Sequence, residues 1–228
     1  TAGSVGFGFV TVLTPAMLLF LEPRLAVEAN LVLGLLVVGL VALSVRHAVH
    51  WRVVGAQVLG SLAGIPLGTL ALARLDETVL RLAIAALVLL MVVPVFLGQL
   101  RPVRRERAAA VGVGVVVGGV FAVSGLGGSP LALFAVSQRW PRDVARGTVA
   151  AYFLGTGPMV LGAHAVAGVL TREVLGFIAL LLPVALLGLF LAVRLSRHIE
   201  EHLFRRVVLA VVVATSVAVV AREVAALL

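Results

Sequence analysis

Apolar residues run along this chain in long blocks separated by short clusters of charge. Read between charges, the blocks cover 1–21, 29–45, 53–73, 82–100, 108–138, 147–171, 174–193 and 207–221. A membrane-crossing helix needs about 20 apolar residues, so the pattern predicts an all-α polytopic membrane protein. Two blocks depart from it. Block 108–138 holds 31 residues without a charge, too long for one untilted crossing. Ser124-Gly125-Leu126-Gly127-Gly128-Ser129-Pro130 interrupts it, a run that a continuous helix tolerates poorly. Block 1–21 carries a similar interruption at Gly3, Gly6, Gly8 and Thr14-Pro15. The chain starts on Thr inside an apolar run, so a native start is expected upstream, and no cleavable signal peptide is recognisable.

The two interrupted blocks are related. Laying Pro23-Arg24-Leu25-Ala26-Val27-Glu28-Ala29-Asn30 over Pro141-Arg142-Asp143-Val144-Ala145-Arg146-Gly147-Thr148 gives an offset of 118. The offset carries His50-Trp51-Arg52 close to Leu170-Thr171-Arg172, and Gly64-Ile65-Pro66-Leu67-Gly68 close to Leu182-Pro183-Val184 and Gly188. Two homologous repeats are therefore expected: 1–100 the first, 101–107 a cytoplasmic linker, 108–228 the second. Duplication with broken hydrophobic segments at matching positions is a mark of secondary transporters.

The arginines choose between topologies. If all eight blocks cross, the 18 arginines divide eight against ten, which shows no bias. If each broken block dips in and returns, Arg24, Arg74, Arg81, Arg172 and Arg222 share one side and the other 13 share the opposite one. That bias favours three crossings plus one re-entrant hairpin per repeat, an odd number, so the repeats are inverted and the linker is cytoplasmic.

Non-helical backbone at membrane depth must be buried or line a wet cavity, so the glycine runs are expected to face inward. A half-helix restarting after the break aims amide hydrogens and its positive dipole end at an anion, with Ser129 as cap and Pro130 in the first turn. Gly6, Gly8, Thr11 and Thr14-Pro15 offer a second half-site. Close helix packing is the plainer role for the same glycines. Cutting the blocks at charges leaves no Asp or Glu inside any of them, with Glu28 at an end, which favours an anionic or neutral substrate over a cation. His164 is the one ionisable group within a block, suited to relay protons or to rest on a carbonyl. Asn30 and Thr148, equivalent in the two repeats, are candidate site-lining hydrogen bonders.

Composition narrows the classes further. The chain is 62% apolar and 12% charged, about half the charged fraction of a soluble domain, which excludes a soluble enzyme. It has no cysteine, which removes disulfides, thiolate catalysis and Cys-based metal sites. Its net charge of +8 comes entirely from arginine, confined to gaps between apolar blocks, so nucleic-acid binding is not expected. His198-Ile199-Glu200-Glu201-His202 fits a zinc-protease pattern. Its arginine-rich surroundings and lack of a third ligand argue against a metal.

The Gly-rich loop, the Pro-Arg turn, the polar opening of the next span, the Trp-Arg loop and the Pro/Gly-containing span, all repeated, resemble the TauE/SafE family of sulfite exporters. The best local matches are Gly125-Leu126-Gly127-Gly128-Ser129-Pro130, Ala145-Arg146-Gly147-Thr148, His50-Trp51-Arg52 and Phe204-Arg205-Arg206. In the first repeat, Gly6-Phe7-Gly8-Phe9 and Ala29-Asn30 depart from the family pattern, which bears on the identity of the anion. The resemblance implies a multi-pass permease of the bacterial or archaeal cytoplasmic (inner) membrane. It would export sulfite or an organosulfonate by alternating access at a midplane site between the repeats. A coupling ion (H+ or Na+) would drive it, no cofactor or metal is implied, and homo-oligomer formation is left open. Carried across, the substrate-binding residues are Gly6, Gly8, Asn30, Gly125, Gly127, Gly128, Ser129 and Thr148; the reading of the residues themselves adds Thr11 to the first half-site and His164 as a candidate proton relay. A passive anion channel, a non-transporting scaffold and an intramembrane zinc enzyme are the alternatives.

Overall fold

A computed structural model describes residues 17–45, 47–92, 105–196, 210, 213–219 and 221–222. Those residues form helices and no strands. In chain order the helices are α1 (Pro23–Val45), α2 (Trp51–Arg74), α3 (Glu77–Val92), α4 (Glu106–Ser124), α5 (Gly128–Ser137), α6 (Arg142–Val166) and α7 (Arg172–Ser196). Residues 213–219 are also helical. Among the described residues, four helices are long and apolar enough to cross a membrane: Pro23–Leu43, Trp51–Arg74, Glu106–Ser124 and Arg142–Val166. The 31-residue block at 108–138 is not one element but two, α4 and α5, and α4 begins at Glu106, inside the expected linker.

The centre of the bundle is a contact of α2 with α4 so close that their backbones touch. An added Cβ on Gly60, Gly64 or Gly68 would lie 2.1, 2.0 or 2.2 Å from the carbonyl oxygens of Val111, Val115 and Gly119. From the other side, a Cβ on Gly114 would lie 2.0 Å from the Gln57 oxygen, and one on Gly118 would lie 2.8 Å from Ser61 Cα. Glycines four apart sit one above another on a helix face, and without side chains they let two helices approach to backbone contact. Partners advance by four on both helices, so α2 and α4 run parallel. Pro66 lies on the exposed face of α2 with Leu67, away from the seam. Glycine and proline at 64–68 therefore leave the helix continuous, because the neighbouring backbone holds it in place.

At the seam, the buried Tyr152 hydroxyl from α6 and Ser61 Oγ lie 2.8 Å apart, and Ser61 Oγ reaches the carbonyls of Gln57 and Gly114 at 2.9 and 3.0 Å. One hydroxyl pair thus ties three helices and satisfies polar groups that hydrocarbon could not. Large apolar side chains on the outer face of α2, including Leu59, Leu62, Leu67 and Leu70, remain exposed, as a lipid-facing surface requires.

α5 folds back beside α4. Trp140 Nε1, just past α5, donates to Glu106 Oε1 at the start of α4 at 3.0 Å. Phe134 of α5 shares a small apolar cluster with Val53 and Ala110, so both ends of this helical hairpin lie at the α2 N-terminal end of the bundle. α6 runs antiparallel to α1: His164 meets Glu28, and a Cβ on Gly157 would lie 2.3 Å from Leu35 Cδ2.

The arginines separate accordingly. At one end Arg24 donates to the carbonyls of Leu72, Ala73 and Leu75, Arg81 to that of Leu18 and Arg222 to that of Leu19, with Arg74 and Arg172 at the adjoining helix ends. At the other end stand Arg52, Arg105, Arg107, Arg139, Arg142 and Arg146, at or beside the starts of α2, α4 and α6 and the end of α5.

Candidate functional site

Between α4 and α5 the backbone leaves the helix for three residues, and its amides at 125 and 126 are held by local bonds. Gly125 closes α4 with φ of +69°, and its amide donates to the Phe121 carbonyl at 2.8 Å. That left-handed conformation favours glycine. Ser124 Oγ donates to the Val120 carbonyl at 2.7 Å and accepts from the Leu126 amide at 3.2 Å. Gly127 is extended and serves as the N-cap of α5. Residues 124–127 are buried.

From across the bundle, Asn30 of α1 reaches this break. Its Nδ2 donates to the Gly125 carbonyl at 3.3 Å, 95 residues away in sequence, and the side chain is fully buried. Val117 of α4 and Phe153 of α6 close on Gly127: a Cβ there would lie 2.8 Å from Val117 Cγ1 and 3.3 Å from Phe153 Cε1. The Phe121 and Phe153 rings meet at a tilt of 58° with their centroids 4.8 Å apart. Helices from both halves of the chain thus surround one stretch of irregular backbone, which carries the start of α5 and its unshared amides.

The sequence-predicted residues are distributed unevenly over this geometry. Asn30, Gly125 and Gly127 meet at the break, with Gly128 and Ser129 half-buried in the first turn of α5. Ser129 does not cap that helix. Gly127 occupies the cap position and no side-chain cap bond forms, because the chain re-enters helical geometry two residues earlier than the serine would require. Thr148 does not converge with Asn30. Its Oγ1 accepts from the His50 amide at 3.0 Å, at the opposite end of the bundle, where it satisfies the residue preceding α2. Antiparallel packing of α1 and α6 places equivalent positions at opposite ends. Gly6, Gly8 and Thr11, with Thr14-Pro15, and the His198 to His202 motif, lie outside the described residues.

Two expectations about charge are corrected. Glu28 is not at a span end: it lies five residues inside α1 and is fully buried. His164 rests on that carboxylate rather than on a carbonyl, Nδ1 to Oε1 at 2.5 Å. Close by opens a cavity of about 620 Å³, lined by Phe20, Glu22, Arg24, Gly168, Thr171 and Glu173 among others. It lies at the end of the bundle that holds Arg24, Arg74 and Arg172. Among the described residues, no group of three His, Asp or Glu side chains is placed to hold a metal.

Replacing Gly125 by alanine tests how tightly the break is built. The new Cβ would sit 2.9 Å from Asn30 Nδ2 on a backbone at φ +69°, so strain and a displaced Asn30 should together cost about 2 kcal/mol. Thermal unfolding in detergent measures it, and Asn30→Ala combined with Gly125→Ala should cost less than the sum of the two.

A family model, Sulfite exporter TauE/SafE, matches residues 1–219. No significant match is found among curated proteins or solved structures.

Proposed function

Because the chain belongs to the TauE/SafE sulfite exporter family, we propose that it is a secondary-active exporter of a small anion, sulfite or an organosulfonate. In this reading α4 and α5 form a re-entrant hairpin, and the anion binds at the break it carries into the bundle. The observation that carries the proposal is the Asn30 contact with Gly125. It joins a polar side chain of one half of the chain to the broken backbone of the other, where alternating access needs a shared site. The amides at the start of α5 supply the positive end of a helix dipole, and Gly127 and Gly128 let an anion approach the backbone.

Two further features support the arrangement. α1 and α6, the helices related by the 118-residue offset, run antiparallel, as inverted repeats would. With 13 of the 18 arginines assigned to it by the re-entrant count, the α2 N-terminal end would face the cytoplasm of a bacterial or archaeal inner membrane. The 620 Å³ cavity at the opposite end, lined by Arg24 together with Glu22 and Glu173, would then be an outward vestibule. An ion gradient of H+ or Na+ would drive export.

Radiolabelled sulfite flux in proteoliposomes tests the proposal, with sulfate, taurine and sulfoacetate as competitors. Expected is saturable flux that an imposed gradient can drive uphill. Flux that only runs downhill under every gradient would make the protein a passive channel, and no flux of any of these anions would leave the fold without the function.

A further inference from the structure

Glu28 and His164 are a buried pair for which the anion path has no use. They come from α1 and α6, 136 residues apart, both at 0% exposure, with Oε1 and Nδ1 2.5 Å from each other. A contact this close needs a proton between the two atoms, since two lone pairs would repel. Their outer atoms, Glu28 Oε2 and His164 Nε2, are buried with no hydrogen-bond partner among the described residues. Such an unfinished pair is weak structural glue, because each idle atom keeps its full desolvation cost. Ionisable side chains inside a membrane bundle mark ion or proton pathways by default.

The segment that follows His164 borders a cavity. The amides of Val169 and Leu170 donate to the His164 carbonyl at 2.9 and 3.3 Å, where Gly168 turns the chain at φ +73°. Ala167, Gly168 and Val169 form a wall of the 620 Å³ cavity, three to five residues along the chain from His164. The charged groups carried by the packed elements at this end are already committed or outside. Arg24 of α1 is held by the Leu72, Ala73 and Leu75 carbonyls, and Arg81 of α3 by Glu77 and the Leu18 carbonyl. Glu22, Arg74 of α2, and Arg172 and Glu173 of α7 lie at the helix ends.

We infer that Glu28 and His164 together form the proton-binding site that couples anion export to the pH gradient, loaded from the cavity at the Arg24 end. This rests on the exporter reading and adds the ion and its residues. With the α1–α6 seam closed, the pair holds one shared proton and is neutral overall. When the seam opens toward the cavity, a further proton binds at the idle Glu28 Oε2, since the neutral pair already carries hydrogen on Nε2, and the pair becomes a cation. When the seam turns to the other face, that proton leaves to the cytoplasm. A proton entering while an anion leaves moves positive charge inward in both steps, so an inside-negative potential also drives the cycle.

The test uses the full-length protein in proteoliposomes with sulfite and a luminal pH dye. Wild type is expected to accumulate sulfite under an imposed pH gradient and to move protons with it. Glu28→Gln and His164→Asn should keep sulfite-for-sulfite exchange and lose at least about tenfold of gradient-driven accumulation, as expected for removal of an intramembrane relay. Variants that still accumulate sulfite at the wild-type level overturn the inference and leave the exporter reading standing. If wild type moves no sulfite, the exporter reading fails. The proton site is then decided by infrared pH titration of the purified protein. A carboxylic C=O band that shifts on exchange into D2O, absent in Glu28→Gln and altered in His164→Asn, is the expected result. No such band in wild type at any pH overturns the inference, and this spectrum decides the matter even if neither variant folds.

Discussion

Gly64→Ala is expected to collapse the folded yield of the protein. The added methyl would sit 2.0 Å from the Val115 carbonyl oxygen, with the Gly119 amide nitrogen at 2.8 Å. Both are backbone atoms, which cannot rotate away as a side-chain tip can. The helices must separate by about 1 Å, and overpacking of a rigid contact costs about 3 kcal/mol or more. Separation along this seam also loosens Gly60 on Val111, Gly68 on Gly119 and Gly114 on Gln57, because the same two backbones meet at each. The Ser61 hydroxyl would lose its reach to the Gly114 carbonyl. Gly112→Ala and Gly162→Ala are the controls: nothing lies within 4 Å of a Cβ at either position. Those variants should be unchanged, or more stable by up to about 1 kcal/mol through helix propensity. Thermal unfolding and monodisperse yield in detergent compare the three, and a Gly64→Ala protein as stable as its controls would refute backbone contact between α2 and α4.

His164→Leu is expected to cost about 3–5 kcal/mol, the effect of leaving a buried charge without its partner. The leucine fills most of the imidazole's volume, so packing is largely kept. The loss comes from the Glu28 carboxylate, which would then have neither oxygen bonded. Glu28→Leu together with His164→Leu should recover most of that stability, since replacing a whole buried pair by apolar side chains is often neutral. Strong non-additivity in the double-mutant cycle, read from denaturant unfolding in detergent micelles, is the signature. Additive losses would mean that the two groups do not act as a pair.

Some of this architecture is written plainly in the amino acids. The break at 124–130 is visible because glycine, serine and proline crowd into one short run. Gly64-Ile65-Pro66-Leu67-Gly68 is as rich in helix breakers, yet α2 runs straight through it. The difference is tertiary, since α4 lies against the glycine face and the proline faces outward. Spacing alone held the clue to that seam: glycines at 60, 64 and 68 match glycines at 114 and 118, all four apart. Glu28 was hidden for another reason. Dividing a chain at its charges makes every charge a boundary, so a carboxylate one turn inside a helix is assigned to its end. Its partner lies 136 residues away, beyond the reach of any local pattern. Asn30 was legible as a polar residue in an apolar run, but only the fold shows that it bonds the Gly125 carbonyl rather than sharing a site with Thr148.

The central claim is that the chain turns back at 125–127, so that α4 and α5 enter and leave by the same face of the bilayer. With no cysteine in the chain, single cysteines report their own side without background. Arg107→Cys, Arg142→Cys and Thr171→Cys, each at an exposed position, can be reacted in intact cells and in inverted vesicles with a membrane-impermeant thiol reagent. The account predicts that positions 107 and 142 label only in inverted vesicles and position 171 only in intact cells. Labelling of 107 and 142 from opposite faces would contradict it.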